Sequence, residues 1–281
     1  MSEKDRPLEG RVALVTGGGR GLGQAYATTL AAAGASVAVS ARSADQVAET
    51  VGAIEHASGR ARGYTADVAD PSAVKTLVAQ VVRDFGPIDI LVNNAGSGGS
   101  TGPFAEGDPD VWWRVQEVNL RGVMLCTHAV LPGMIERKHG RIINISSAAG
   151  LAPIPYLSAY VVSKTALIRF TEIVAAEVRD AGVAVFAISP GPVRTAMSEE
   201  VLATEEGQRW MPWFLKIFEE GRDVPAQLSA DLVLALARGD ADTLSGRFLS
   251  IRDDLAAHGE RQRNGTLSPE SLTLRLRGVD P

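Results

Sequence analysis

The sequence predicts a doubly wound α/β domain, a seven-stranded, mostly parallel sheet with helices on both faces. Three observations predict it. Short runs rich in β-branched residues alternate with helical segments along most of the 281 residues, the pattern of successive βαβ units. Several of those runs are continuously apolar, as strands covered on both faces must be. The third is a glycine-dense turn between the first run and the first helix. The chain holds 29 glycines, where average usage gives roughly 20.

Residues 12–16 (VALVT) read as the first strand. Residues 22–33 form an alanine-rich helix stopped by Gly34. The second strand is 36–40 (SVAVS). Ser43, with Gln46 three residues on, opens a helix over 45–56 with a capping-box signature. A weaker third strand covers 63–66. Asp70-Pro71 supplies a cap and a first-turn proline for a helix over 72–85. A fourth strand follows at 88–92 (IDILV). Asp108-Pro109 repeats the helix start, for a helix running to about Leu131. A fifth strand at 141–145, a helix over 157–180, a sixth strand at 183–188, a helix over 228–237 and a seventh strand at 248–251 complete the alternation. No internal repeat or linker interrupts it, so residues 1–281 read as one domain. Residues 195–227 are too long for a simple connection. Residues 255–281 read as a polar extension without periodicity until Leu272, Leu274 and Leu276.

Composition narrows the function. One cysteine, Cys126, allows no internal disulfide and no thiolate metal cluster. The four histidines are scattered, without metal-ligand spacing, and read as surface or satisfied residues. A net charge of −5 disfavours nucleic acid and anionic membrane as partners. The start carries no apolar leader, and no apolar run approaches the roughly 18 residues of a membrane span. A cytoplasmic protein is the expectation.

The turn Thr16-Gly17-Gly18-Gly19-Arg20-Gly21-Leu22-Gly23 lies where a dinucleotide pyrophosphate meets a helix N-terminus. Alone it fits a plain loop as well; its place in the first βα unit favours a cofactor. It is no Walker loop, since no Gly-Lys-Ser/Thr follows. The second strand ends Ser40-Ala41-Arg42, without the acid that would bind the ribose 2′-hydroxyl of NAD. Arg20 and Arg42 instead suit a 2′-phosphate, unless they are only solvated charges, so NADP(H) is favoured over NAD(H). Tyr160 and Lys164 are four apart and share a helix face. By itself that pair fits any solvated helix; Ser147, at the end of the fifth strand, changes the reading.

Taken in order, the glycine turn, Asp67-Val68, Asn93-Asn94-Ala95-Gly96, Asn119, Ser147, Tyr160-x-x-x-Lys164 and Pro190-Gly191-x-Val193-x-Thr195 resemble the classical short-chain dehydrogenase/reductase family. The resemblance covers roughly residues 10–248 and implies a Rossmann-like fold. It implies that Gly17, Arg20, Gly21, Leu22 and Gly23 cradle the dinucleotide, with Arg42 near the adenosine ribose. It implies that Asp67 and Val68 flank the adenine, that Asn93, Ala95 and Gly96 support the central strand and line the cofactor, and that Pro190, Gly191, Val193 and Thr195 hold the nicotinamide end. Residues 195–227 become a substrate lid. Its cluster of Trp210, Trp213, Phe214 and Phe218 points either to a bulky apolar substrate or to packing of the lid itself.

The implied reaction moves hydride between nicotinamide and a carbonyl or secondary alcohol. Its proton donor must sit within hydrogen-bond reach of the substrate oxygen. Tyrosine, with an ordinary pKa of about 10, needs a nearby cation to serve near neutrality. The resemblance therefore implies Tyr160 as general acid/base, with Lys164 lowering its pKa and binding the nicotinamide ribose. Ser147 orients the substrate oxygen, and Asn119 holds a water linking Lys164 to solvent. Ser146 precedes Ser147, so the serine assignment depends on register. A silent dinucleotide-binding sensor, and dehydratase or epimerase chemistry on the same scaffold, stay open. Two departures stand out: the last strand is followed not by an Asp-Gly-Gly turn but by a C-terminal extension, which puts the usual subunit contacts there in doubt, and the segment after Thr195 is long and rich in aromatics. A homotetramer or homodimer, paired through the helices carrying Asn119 and Tyr160, is the family expectation.

Overall fold

A computed structural model describes residues 6–275. Its seven strands are β1 (Val12–Thr16), β2 (Ser36–Ala41), β3 (Arg60–Thr65), β4 (Ile90–Asn93), β5 (Gly140–Ile145), β6 (Val183–Ser189) and β7 (Phe248–Ser250). They form one sheet in the order β3-β2-β1-β4-β5-β6-β7. Every neighbouring pair is parallel. The order reverses direction between β1 and β4, and ligands bind outside the strand carboxyl ends at such a switch point.

Alternation along the strands divides the core in two. Ala13, Val15, Val37 and Val39 face α1 (Gly21–Ala32), α2 (Ala44–His56) and α10 (Ala226–Arg238). Val12, Leu14, Ala38 and Leu91 face α3 (Pro71–Phe85), α5 (Gly122–Glu136) and α6 (Ser158–Glu177). Burying each Val, Leu or Ile stabilises by about 1.5–3 kcal/mol, which is why strands only three to seven residues long hold their register. The Tyr26 and Ser229 hydroxyls hydrogen-bond at 2.7 Å, joining α1 to α10 across this first layer.

Several boundaries differ from the sequence reading. β3 is longer and earlier, because an edge strand needs only one buried face; Tyr64 alone is buried while Arg60 and Arg62 pair along β2. β4 starts later, at Ile90. The helix begun at Pro109 is α4 (Pro109–Gln116), a π turn over Glu117–Arg121, then α5, which passes Pro132 to Glu136. The lost bond at Pro132 costs about 3 kcal/mol; burying Val130 and Met134 beyond it offsets that. This 28-residue run also reaches the length and mean hydropathy (1.2) of a membrane span, against expectation. Counting contiguous apolar residues missed it because Arg114, Asn119 and Arg121 interrupt it. It is a core helix, with Val123, Cys126 and Met134 against the sheet.

The histidines also divide. Nε2 of His139 and Nδ1 of His258 are buried without a hydrogen-bond partner, so the two are not satisfied as expected. Asp89 and Asp253 stand near them, at 3.9 and 3.4 Å, but those contacts reach only one nitrogen at ion-pair range.

Residues 195–227 fold as α7 (Ala196–Ala203), α8 (Glu205–Trp210) and α9 (Pro212–Glu219). The extension begins with a helix the sequence did not suggest, α11 (Leu255–Arg263), capped by the Asp254 carboxylate accepting from Ala257 N–H. It then folds back along β7. Leu272 C=O accepts from Phe248 N–H at 2.7 Å, and the buried Arg247 guanidinium donates to the carbonyls of Pro269 and Ser271. Leu274 packs on Ile168 and Phe248. Leu276 lies outside the described residues.

Candidate active site

The turn after β1 is built by the turn after β4. Thr16 Oγ1 donates to Val92 C=O (3.3 Å) and accepts from the N–H groups of Asn94 (3.1 Å) and Ala95 (3.2 Å). The Asn94 amide donates to the carbonyls of Thr16 and Gly17, both at 3.0 Å. This packing explains the glycines. Gly17 has φ +61°, and a Cβ there would lie 2.8 Å from Ala95 Cα. A Cβ on Gly23 would lie 2.1 Å from Gly17 O, inside van der Waals contact. Arg20 is the N-cap of α1, yet no side chain caps the helix and its first turn holds no acid. Its first-turn N–H groups and positive dipole end are left for an anion. The cradle thus fits a pyrophosphate.

At the adenosine end, Arg20 and Arg42 are exposed, and Ser40 C=O accepts from Gly18 N–H. Asp67 is already engaged: its carboxylate accepts from Ala69 N–H (3.0 Å) and from Arg114 (2.6 Å). Partial burial pushes the Asp67 pKa up, but these bonds and the nearby charges of Arg114 and Arg42 hold it below the usual carboxylate range. Val68 packs where a Cβ on Gly122 would touch it, at 2.7 Å. Asn93 does not line the crevice. Its amide is buried between the sheet and α5, donating to Asn144 Oδ1 (2.9 Å) and Thr127 Oγ1 (3.2 Å). A strand residue at that register points into the helix layer; Asn94, one further on, points to the glycine turn.

Ser147, Tyr160 and Lys164 converge past the end of β5. Ser146 is buried and its hydroxyl donates to Lys164 C=O (3.1 Å). Ser147 is half-buried and stands beside the Tyr160 phenol. The two serines therefore differ in what they can reach. Lys164 Nζ donates to Ile145 C=O at 2.8 Å and lies 5.5 Å from the Tyr160 ring centroid. Burial drives the two groups in opposite directions. It pushes the Tyr160 phenol up, with the Ser147 hydroxyl pulling it partly back. It pushes the Lys164 ammonium down to about 8.

Asn119 sits in the π turn, a helix distortion common at functional sites. The extra residue turns its amide inward, where it bonds the Ser97 backbone twice (2.8 and 2.9 Å) and Ser163 Oγ (3.0 Å). Ser163 Oγ in turn donates to Tyr160 C=O (2.7 Å). A Cβ on Gly96 would stand 3.4 Å from Asn119 Oδ1 and 3.9 Å from Lys164 Nζ, so Gly96 keeps the space between them open.

The opposite wall is the chain after β6. Gly191 has φ +77°, and a Cβ there would meet Ile251 at 2.7 Å. Pro190 opens this turn, Pro192 C=O accepts from Val224 N–H, and Val193 is buried. Thr195 caps α7 in a capping box with Ser198, and its methyl lies 3.7 Å from where Gly21 would carry a Cβ. The aromatics of 195–227 split. Phe218 is buried beneath Arg194, Phe214 packs edge-to-face on Phe218, and Trp213 packs edge-to-face on Phe214. Trp210 instead packs on Tyr156, outside the segment. Thr16, Asn94, Arg114, Ser163 and Tyr156 were not singled out from the sequence. Thr16 and Asn94 lay inside quoted motifs; the others carry no local signal.

Comparison with known proteins agrees with this fold. Residues 11–206 match the family model described as short chain dehydrogenase. A short chain dehydrogenase of Pseudocercospora fijiensis is 37% identical over 281 residues, covering 97% of this chain and 91% of the relative. A crystal structure of an actinorhodin polyketide ketoreductase with NADPH superposes with a TM-score of 0.78 at 32% identity, covering 88% of this chain and 97% of that one. An NAD+-bound xylitol dehydrogenase superposes with a TM-score of 0.79 at 30% identity, covering 87% and 98%.

Proposed function

Because this chain belongs to the classical short-chain dehydrogenase/reductase family, and is an oxidoreductase acting on CH–OH/C=O groups with a nicotinamide dinucleotide, we propose that it is an NADP(H)-dependent carbonyl reductase or alcohol dehydrogenase for a bulky, apolar substrate. One observation carries this: the Ser147 hydroxyl, the Tyr160 phenol and the Lys164 ammonium meet beside the crevice.

Gly17, Gly21, Leu22 and Gly23 would hold the pyrophosphate, Val68 and Asp67 the adenine side, and Ala95, Gly96, Pro190, Gly191, Val193 and Thr195 the nicotinamide side. Arg20 and Arg42, with no acid at the end of β2, favour a 2′-phosphate and so NADP(H) over NAD(H). When bound, the nicotinamide supplies hydride to the carbonyl carbon or accepts it from the carbinol carbon. Tyr160 gives its hydroxyl proton to the carbonyl oxygen in reduction and takes the hydroxyl proton in oxidation. Ser147 donates to the same oxygen and fixes its position. Burial makes the Tyr160 phenolate costly, at about 1.4 kcal/mol per pKa unit. The Lys164 charge beside the ring offsets that cost and would also hold the nicotinamide ribose. Asn119 positions Ser97 and, through Ser163, the backbone of Tyr160, and borders the gap at Gly96 where a water could join Lys164 to solvent. Exposed Val111 and Trp113 on α4, with Val162 and Ile173 on α6, support a homodimer or homotetramer paired through these helices.

The test follows the absorbance of the reduced nicotinamide with NADPH and NADH across a panel of ketones and alcohols. NADPH-dependent turnover that Tyr160→Phe abolishes is the expected result. Turnover undiminished by Tyr160→Phe overturns the mechanism.

A further inference from the structure

Three segments meet at the mouth of the cleft, and one residue with no assigned role joins them. Tyr156 lies on the connection into α6, four residues before Tyr160. Its backbone is in the left-handed region, φ +68°, where a bulky residue is a rare exception. Such a conformation persists only where its surroundings over-determine it. Here its carbonyl accepts from Gly102 N–H at 2.9 Å, and its ring packs on Trp210 of α8 with centroids 4.4 Å apart and planes at 36°. Trp210 is fixed in turn by the Arg209 guanidinium, 4.6 Å from its ring centre. The next residue, Met211, is buried and receives the Thr101 hydroxyl at its sulfur. Gly102 has φ +150°, and a Cβ there would lie 4.0 Å from the Trp210 ring, so the glycine-rich loop passes beside it. That loop, so polar and flexible in sequence, is the seat of the lid.

The pair is half-open. Tyr156 is 40% exposed and the tilt is far from an offset parallel stack. A well-packed structural pair would be buried; here Tyr156 is exposed and Trp210 only half-buried. The backbone strain is spent on placing the Tyr156 ring there and serves no core contact.

We propose that Tyr156 is a specificity-determining residue, the fixed jaw of an aromatic clamp whose moving jaw is Trp210. The clamp holds the lid shut in the free protein. A substrate with a flat, conjugated or aromatic face takes the place of the ring–ring contact, so it opens the lid at little net cost. A small aliphatic ketone cannot. This rests on the reading of the cleft as a carbonyl site and names its substrate class.

The test pairs kinetics with amide exchange. KM is measured for 2-acetonaphthone and for cyclohexanone with wild type, Tyr156→Phe and Tyr156→Ala. Tyr156→Ala should lower KM for cyclohexanone about tenfold, because one good aromatic contact no longer holds the lid against it, and leave the naphthyl ketone little changed, because the contact it breaks and the contact it makes are both gone. Tyr156→Phe should match wild type, because the ring makes the contact. Independently of turnover, hydrogen exchange across residues 205–219 should quicken in Tyr156→Ala and in Tyr156→Gly, a variant that tolerates the positive φ. The clamp stands only if the lid result is seen and, where ketones turn over, the selective KM shift with it. A uniform KM shift, no shift, or unchanged lid exchange overturns it. Turnover of neither ketone by wild type counts against the carbonyl reading instead, and lid exchange then decides the clamp alone.

Discussion

The Asn94 side-chain amide donates to the Gly17 carbonyl at 3.0 Å, tying the turn after β4 to the turn after β1 across the switch point. It donates to the Thr16 carbonyl at the same distance. The cofactor cradle is therefore held from the neighbouring strand and not by the glycine turn alone. Asn94→Ala leaves both carbonyls without this donor. Denaturant unfolding should show a loss of about 1–3 kcal/mol, and dinucleotide titration a weaker affinity. A variant with unchanged stability and binding would show that the turn needs no such tie.

Ser146 and Ser147 are adjacent but do different work. Ser146→Ala removes a buried bond to the Lys164 carbonyl and should cost about 1–3 kcal/mol of stability, with kcat little altered. Ser147→Ala should lower kcat about 100-fold, the effect of losing one donor at the reacting oxygen, with stability within about 0.5 kcal/mol of wild type. The reverse pattern would reassign the serine.

Lys164 makes a pH prediction with an unusual sign. Its folded pKa, about 8, lies below the ordinary 10.5 because burial disfavours the charge. Between those values the unfolded chain binds the extra proton, so this group's contribution makes stability rise with pH from about 8 to about 10.5. Below pH 8 the charged ammonium is a burden of about 3 kcal/mol. In the cofactor-free protein, Lys164→Met should therefore be the more stable form at pH 7, with its advantage shrinking as pH rises above 8. Stability differences measured by denaturant across pH 6–10 test this, and a constant difference would refute the shift.

Arg42 bears on cofactor choice. Replacing it with Asp removes one charge-assisted partner for a 2′-phosphate and adds a repulsive charge. NADP(H) affinity should fall about 10–100-fold while NAD(H) affinity holds. Equal losses for both would remove Arg42 from that role.

Much of the site was legible because its signals are local. A strand, a glycine turn and an alanine-rich helix are adjacent in sequence, and their order alone predicts the crevice. Tyr160 and Lys164 share a helix face by spacing. Ser147 could be counted from Tyr160, but the distinction from Ser146 needed the Lys164 carbonyl, which is distant in sequence. Asn93 and Asn94 show the limit best. They are neighbours in one motif, yet strand register sends one amide into the sheet and the other onto Gly17.

By itself, then, the sequence determined the doubly wound fold, the strand count, the glycine turn and the candidate site residues, since periodicity, capping and motif order are properties of short segments. Only the tertiary structure decided which groups are satisfied and which are open. It placed Asp67 against Arg114, folded the extension onto β7, put a π turn into the long helix at Asn119, and set the Tyr156 ring against Trp210. Those contacts join residues far apart in the chain, and what selects them is competition for burial and hydrogen bonds across the whole molecule.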